Sequence, residues 1–175
     1  MKEFEFILIS ENAFNSDNIQ DIVDSNISVI NVLRSSEIGD DELHPDAFSS
    51  YCVDYYFQTL KEEGLPAFIW KSKWDQDLIE IIQAGIAAMN APENLEFFEK
   101  QMRRVKAFSK IKLGKFLQSD FGKDKATATL LDDTSFKEIK EDLKELNATW
   151  LKSHPDLKVA NLEEMQTIIT DFISE

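Results

Sequence analysis

The chain has 175 residues, 43% of them hydrophobic, thirteen Phe and a net charge of −14, which excludes a disordered chain and supports one packed domain over 1–175. No apolar run approaches the ~18 residues of a membrane span, and the acid-bearing start MKEFEFILIS is no secretory signal. The single cysteine, Cys52, excludes an internal disulfide and suits a reducing compartment, so a cytoplasmic protein is expected.

In chain order, FEFILI (residues 4–9) is short, apolar and β-prone and predicts a strand or extended arm. Ser16 is placed to cap a helix running to about Arg34, with Ile19, Ile22, Val23, Ile27, Ile30 and Leu33 as its apolar stripe. Asp17, Asp21 and Asp24 then step by four and three and line one edge of its first turns, at the positive end of the helix dipole. Residues 35–44 form a polar connection holding Glu37, Asp40, Asp41 and Glu42, with Asp46 one turn into the next helix. Pro45 opens that helix, and Phe48, Cys52, Tyr55, Tyr56 and Leu60 share one face, which makes it the aromatic post of the core. Gly64 and Pro66 stop it just after Glu62 and Glu63.

LPAFIWKSKW (65–74) then reads as an aromatic link carrying Trp70 and Trp74. A helix is predicted from Asp75 to Asn90, and Pro92 opens another whose far end is basic: Lys100, Arg103, Arg104 and Lys106, followed by Lys110, Lys112 and Lys115. Cations there serve a helix C-terminus, an internal counter-charge or an acidic neighbour in a dimer. Residues 116–133 look irregular. Ser135 and Glu138 have capping-box spacing before Phe136, Ile139, Leu143, Leu146 and Trp150, and Asn161 and Glu164 repeat that spacing before a last helix. The sum is an all-α bundle of six or seven helices with at most a minor strand.

The charge is uneven. Residues 1–99 hold twenty Asp/Glu against five Lys/Arg, while residues 100–175 hold thirteen against fourteen. Such a field disfavours nucleic acid and anionic membranes and favours a basic partner. Phosphate-binding, zinc-protease, Cys-pair and EF-hand motifs are missing, the acids at 40–42 lack chelating spacing with His44, and neither His44 nor His154 has a Ser or Cys partner nearby in sequence. No enzyme, cofactor or metal is expected. Cys52 sits on the apolar stripe as a small hydrophobe.

The aromatic helix, the break at EEGLPAF and the segment DLIEIIQAGIAAMNAPENLEFFEK resemble the bacterial acidic proteins that share a domain with a neisserial DNA-mimic protein, over roughly residues 17–110. That family's break carries Asn-Gly-Gly-Phe; here Gly64 and Phe68 remain without the Asn-Gly-Gly core. The resemblance implies an all-helical homodimer with carboxylates arrayed like phosphates, which binds a basic DNA-binding protein such as a helix-turn-helix transcription factor and keeps it off DNA. Trp70 and Trp74 suit a dimer interface. The acids assigned to partner binding are Asp17, Asp21, Asp24, Glu37, Asp40, Asp41, Glu42, Asp46, Glu62 and Glu63. The other function these features fit is an immunity-type inhibitor of a basic toxin or nuclease.

Overall fold

Three buried residues in a row, Ile7, Leu8 and Ile9, make the first regular element a strand covered on both sides. The computed structural model describes residues 3–174, in which β1 (Ile7–Ser10) pairs in parallel with β2 (Leu157–Ala160), Ile7 opposite Leu157. Helix accounts for 70% of the fold. Among the described residues there are ten helices rather than six or seven, with two short 3-10 turns at Asp40–Glu42 and Thr134–Glu138. The helices are α1 (Glu11–Phe14), α2 (Asp21–Ser35), α3 (Pro45–Glu63), α4 (Leu65–Lys71), α5 (Gln76–Ala88), α6 (Pro92–Ala107), α7 (Lys110–Gln118), α8 (Lys125–Leu131), α9 (Leu143–Lys152) and α10 (Leu162–Ser174). They fall into two units. Unit 1 comprises Met1–Asp54 and Lys144–Glu175, and unit 2 comprises Tyr55–Leu143.

In unit 1, α1, α2 and α10 pack on the small sheet. Ile22, Val23, Val29, Ile30 and Leu33 of α2 join the strand residues, Ala148 and Leu151 in one buried cluster. Polar ties cross this core with their partners satisfied. Asn26 donates to the Ala47 carbonyl at 2.9 Å, and Ser50 and Asn147 exchange two bonds at 2.7 and 3.1 Å. Helix α2 starts at Asp21, not beside Ser16. The Ser16 hydroxyl accepts from the Asn18 amide and donates to Asp21, so residues 16–18 close a turn before the helix begins.

In unit 2, Tyr56, Phe68 and Phe98 stack edge to face with ring centres 4.9 Å apart for each Tyr56 pair. Gly64, at φ 87°, ends α3 in a conformation that side chains avoid. The chain re-enters a helix at once, because Pro66 in the first turn needs no amide partner. LPAFIWK is therefore α4 and not a link. Within residues 116–133, expected to be irregular, KATATLL (125–131) is helical too, as α8, with the Asp124 side chain accepting from the Thr127 amide. The segment at Ser135 is a 3-10 turn rather than a helix start. Asp133 caps it, and Glu141 leaves to accept from the Glu93 and Asn94 amides at the start of α6, so α9 begins only at Leu143. The capping box at Asn161 and Glu164 forms reciprocally, at 3.2 and 3.0 Å.

Candidate functional site

The charge divides by unit more sharply than by sequence half. Unit 1 holds eighteen Asp/Glu against five Lys/Arg, a net of −13, while unit 2 holds fifteen against fourteen, a net of −1. Eight of the ten acids assigned from the sequence lie in unit 1. Glu62 and Glu63 lie in unit 2, both exposed at the end of α3, with Glu63 paired to Lys71. That ion pair raises the Lys71 ammonium, and its hydrogen bond to Glu63 is the main cause.

The eight assigned acids of unit 1 are of two kinds. Five have internal duties. Asp21 accepts from Ser16 and Asn18, at 2.6 and 2.7 Å. Asp24 faces Lys144 at 3.6 Å. Asp40 pairs with Arg34 at 2.9 Å, and Glu42 accepts from the Gly39 amide at 2.9 Å. Asp46 meets His154 at 2.9 Å. Asp17, Glu37 and Asp41 are exposed and, among the described residues, have no hydrogen bond or ion pair from their carboxylates. Asp17 precedes α2, so Asp17, Asp21 and Asp24 do not step along one helix as the spacing suggested. Glu37 has φ 64° just past the end of α2, in a left-handed position usually taken by Gly.

One arrangement escaped the sequence reading although its signal was there: the tripeptide His-Pro-Asp occurs twice, at 44–46 and 154–156. The copies pair crosswise. His44 Nε2 lies 3.4 Å from Asp156, and His154 Nε2 lies 2.9 Å from Asp46. In each copy Nδ1 accepts the backbone amide of its own Asp, at 3.2 Å, which leaves the proton on Nε2. The two rings meet edge to face at 5.6 Å. This clasp fixes the start of α3 against the entry to β2 and commits both imidazoles to an internal contact. Cys52 is equally committed: burial, with the Asp40 charge adding to it, pushes its thiol up to about 12. Trp70, assigned to a dimer interface from the sequence, donates its indole N–H to the Ser119 carbonyl at 2.8 Å within unit 2. No helix among the described residues is long and apolar enough to cross a membrane.

A family model described as DMP19-like protein matches residues 41–154. The match takes in Asp41, Glu42, Asp46, Glu62 and Glu63 and begins after Asp17, Asp21, Asp24, Glu37 and Asp40. No curated protein and no solved structure matches the chain.

Proposed function

The chain belongs to the DMP19-like protein family, a family of DNA-mimic proteins, and from that premise we propose that unit 1 occupies the DNA-binding surface of a basic protein and keeps it off DNA. The observation that carries the reading is the concentration of net charge, −13 in unit 1 against −1 in unit 2. A binding surface for a basic groove-reading protein needs one region of dense, solvent-facing carboxylate, and a charge spread evenly for solubility needs none. Asp17, Glu37 and Asp41 are the acids with nothing else to do, and they lead the assignment. Asp24 and Asp40 are exposed and add to the field, and Asp21, Glu42 and Asp46 complete the acids of unit 1 proposed to meet the partner. The reading places the protein in transcription regulation through protein contact, with a helix-turn-helix factor as the fitting partner class. A homodimer would present the acidic unit twice and suit a dimeric partner with two half-sites.

The test is capture of a partner from a bacterial lysate at low and high salt, followed by variants. Replacing Asp17, Glu37 and Asp41 with Asn, Gln and Asn removes three charges that make no internal bond. Partner affinity is expected to fall by about tenfold or more, since each rim charge contributes up to ~1 kcal/mol. The melting temperature should hardly move. Neutralising Glu96, Asp132 and Glu138, all exposed in unit 2, should leave binding nearly intact. Equal loss in both variants, or binding insensitive to salt, would sink the proposal. A captured nuclease in place of a DNA-binding regulator would move the protein to the immunity-type reading.

A further inference from the structure

Helix α6 carries four cations between residues 100 and 106, and the fold divides them. Lys100 and Arg104 turn to Asp133, at 2.9 and 3.4 Å, and Arg104 also donates to the Leu130 and Asp132 carbonyls. These two are internal counter-charges. Arg103 and Lys106 are not. With Lys110 at the start of α7 they rim a groove of about 610 Å³ whose apolar walls include Trp74, Ile79, Met102, Val105 and Leu113. No carboxylate lines it among the described residues. Arg103 reaches Glu99 only at 4.0 Å, and Lys106 and Lys110 have no ion pair or side-chain hydrogen bond among the described residues.

Two features lie at or beside this groove. Lys110 and Lys112 occupy the first turn of α7, which holds no acid, so cations sit at the positive end of the helix dipole where they are unfavourable. Lys73 and Trp74 are consecutive non-glycine residues at φ 52° and 50°, a left-handed pair that L-residues avoid. That strained turn holds Trp74 at the groove, its amide on Ser72 Oγ at 3.2 Å. Strain of this kind persists where the surrounding structure enforces it, and such positions cluster at functional sites.

We infer that this groove docks an acidic protein segment carrying one large apolar side chain, a partner contact separate from the acids of unit 1. The volume lies within the ~300–1,000 Å³ of ordinary binding pockets. The apolar walls offer burial to an aromatic or aliphatic anchor, with Trp74 as a stacking surface. The rim selects the rest of the ligand. Arg103 and Lys106 are neighbours one turn apart on α6, and Lys110 comes from a different helix. Three cations so distributed match several carboxylates along a chain, where a single head group would engage only part of the rim.

The experiment uses the full chain and a fluorescein-labelled peptide with a central Phe flanked on both sides by Asp and Glu, followed by anisotropy. The peptide is expected to bind, more weakly as salt rises, and to shift the tryptophan emission. The triple variant Arg103→Glu, Lys106→Glu and Lys110→Glu alters exposed side chains only, its fold checked by circular dichroism, and should lose about tenfold or more in affinity. Trp74→Phe should bind with little loss while abolishing most of the emission shift. Changing Phe to Ser in the probe should weaken it several-fold, and the variant neutralised at Asp17, Glu37 and Asp41 should bind the probe as the native protein does. Four results overturn the inference: no binding at millimolar protein, equal binding by the triple variant, equal binding of a probe with Lys for its acids, or displacement of the probe by lauric acid or oligodeoxythymidine at lower concentration than by unlabelled peptide. If sedimentation shows that the triple variant turns a dimer into monomers, the occupant is a second copy of the chain, and the inference is likewise overturned.

Discussion

Asp133 shows how one carboxylate can hold a segment that lacks regular structure. Its side chain is 13% exposed and receives Lys100 and Arg104 together with Gln101 at 2.9 Å and the Ser135 hydroxyl and amide at 2.6 and 3.0 Å. Burial pushes its acidity toward the neutral form, but the bonds from Lys100, Ser135 and Gln101 outweigh it and hold the carboxyl far below its usual range. A group whose folded-state pKa is depressed adds stability above its unfolded value and loses it as pH falls. The contribution of Asp133 is thus complete above about pH 4, the ordinary carboxylate value, and disappears on further acidification. Asp133→Asn keeps the shape and removes the charge. Urea unfolding at pH 7 is expected to show a loss of about 1–3 kcal/mol, the range for a hydrogen bond to a charged partner. Below pH 4 the difference from the native protein should shrink; a constant difference down to pH 2 would mean that Asp133 acts by packing alone.

At the scale of the element, helix ends decide where the chain turns, and they separate stability from function at one position. Helix α2 closes with the Ile38 amide on the Leu33 carbonyl at 3.2 Å and the Glu37 amide on the Arg34 carbonyl at 3.1 Å. This is a Schellman-type end with Glu37 in the glycine position. A non-glycine residue there costs about 1 kcal/mol or somewhat more, so Glu37→Gly should raise the unfolding free energy by about 1 kcal/mol in chemical denaturation. The same change removes an unpaired carboxylate and should weaken the proposed partner contact. A variant more stable yet weaker in binding would identify Glu37 as an acid kept at a structural cost; one improved or impaired in both would not. Helix ends also mark how far the sequence was legible. Asp75, Pro92 and the Asn161–Glu164 pair placed α5, α6 and α10 within a residue or two, since each cap acts on its own neighbours. Ser135 and Glu138 failed because the capping partner came from outside the box: Asp133 took Ser135, and Glu141 was drawn to amides 47 and 48 residues away. The strand LKVA was hidden because its partner, ILIS, lies at the other end of the chain.

For the whole molecule, the sequence disclosed the quantity of charge and not its grouping. Counting by halves gave the right sign, but Lys144, Lys152 and Lys158, together with the six acids from Glu145 onward, return to unit 1 through the pairing of β2 with β1. Which acids are available was also beyond the sequence. Asp21 and Asp17 look alike four residues apart, and only the turn at 16–18 shows that one is bound and the other not. The basic stretch after Lys100 offered three readings. The fold shows Lys100 and Arg104 as internal counter-charges on Asp133 and puts Arg104 and Lys106 in the last turn of α6, while Arg103, Lys106 and Lys110 rim a groove that none of the three readings foresaw.

The buried thiol makes unit 1 its own clock. Cys52 is 2% exposed on α3, and its acidity is held near 12, so a thiol-specific reagent at neutral pH meets almost no thiolate in the closed protein. Modification must pass through an opened state in which the side chain is wet and regains its ordinary acidity. With slow reagent the rate measures the population of that state, and with fast reagent it measures how often the start of α3 lets go. A ligand that binds only the closed form lowers the open population by the factor 1 + [L]/Kd. Partner titration against the labelling half-time would therefore yield an affinity from a single atom that the partner never touches. A half-time unchanged by saturating partner would show that the start of α3 opens without releasing it.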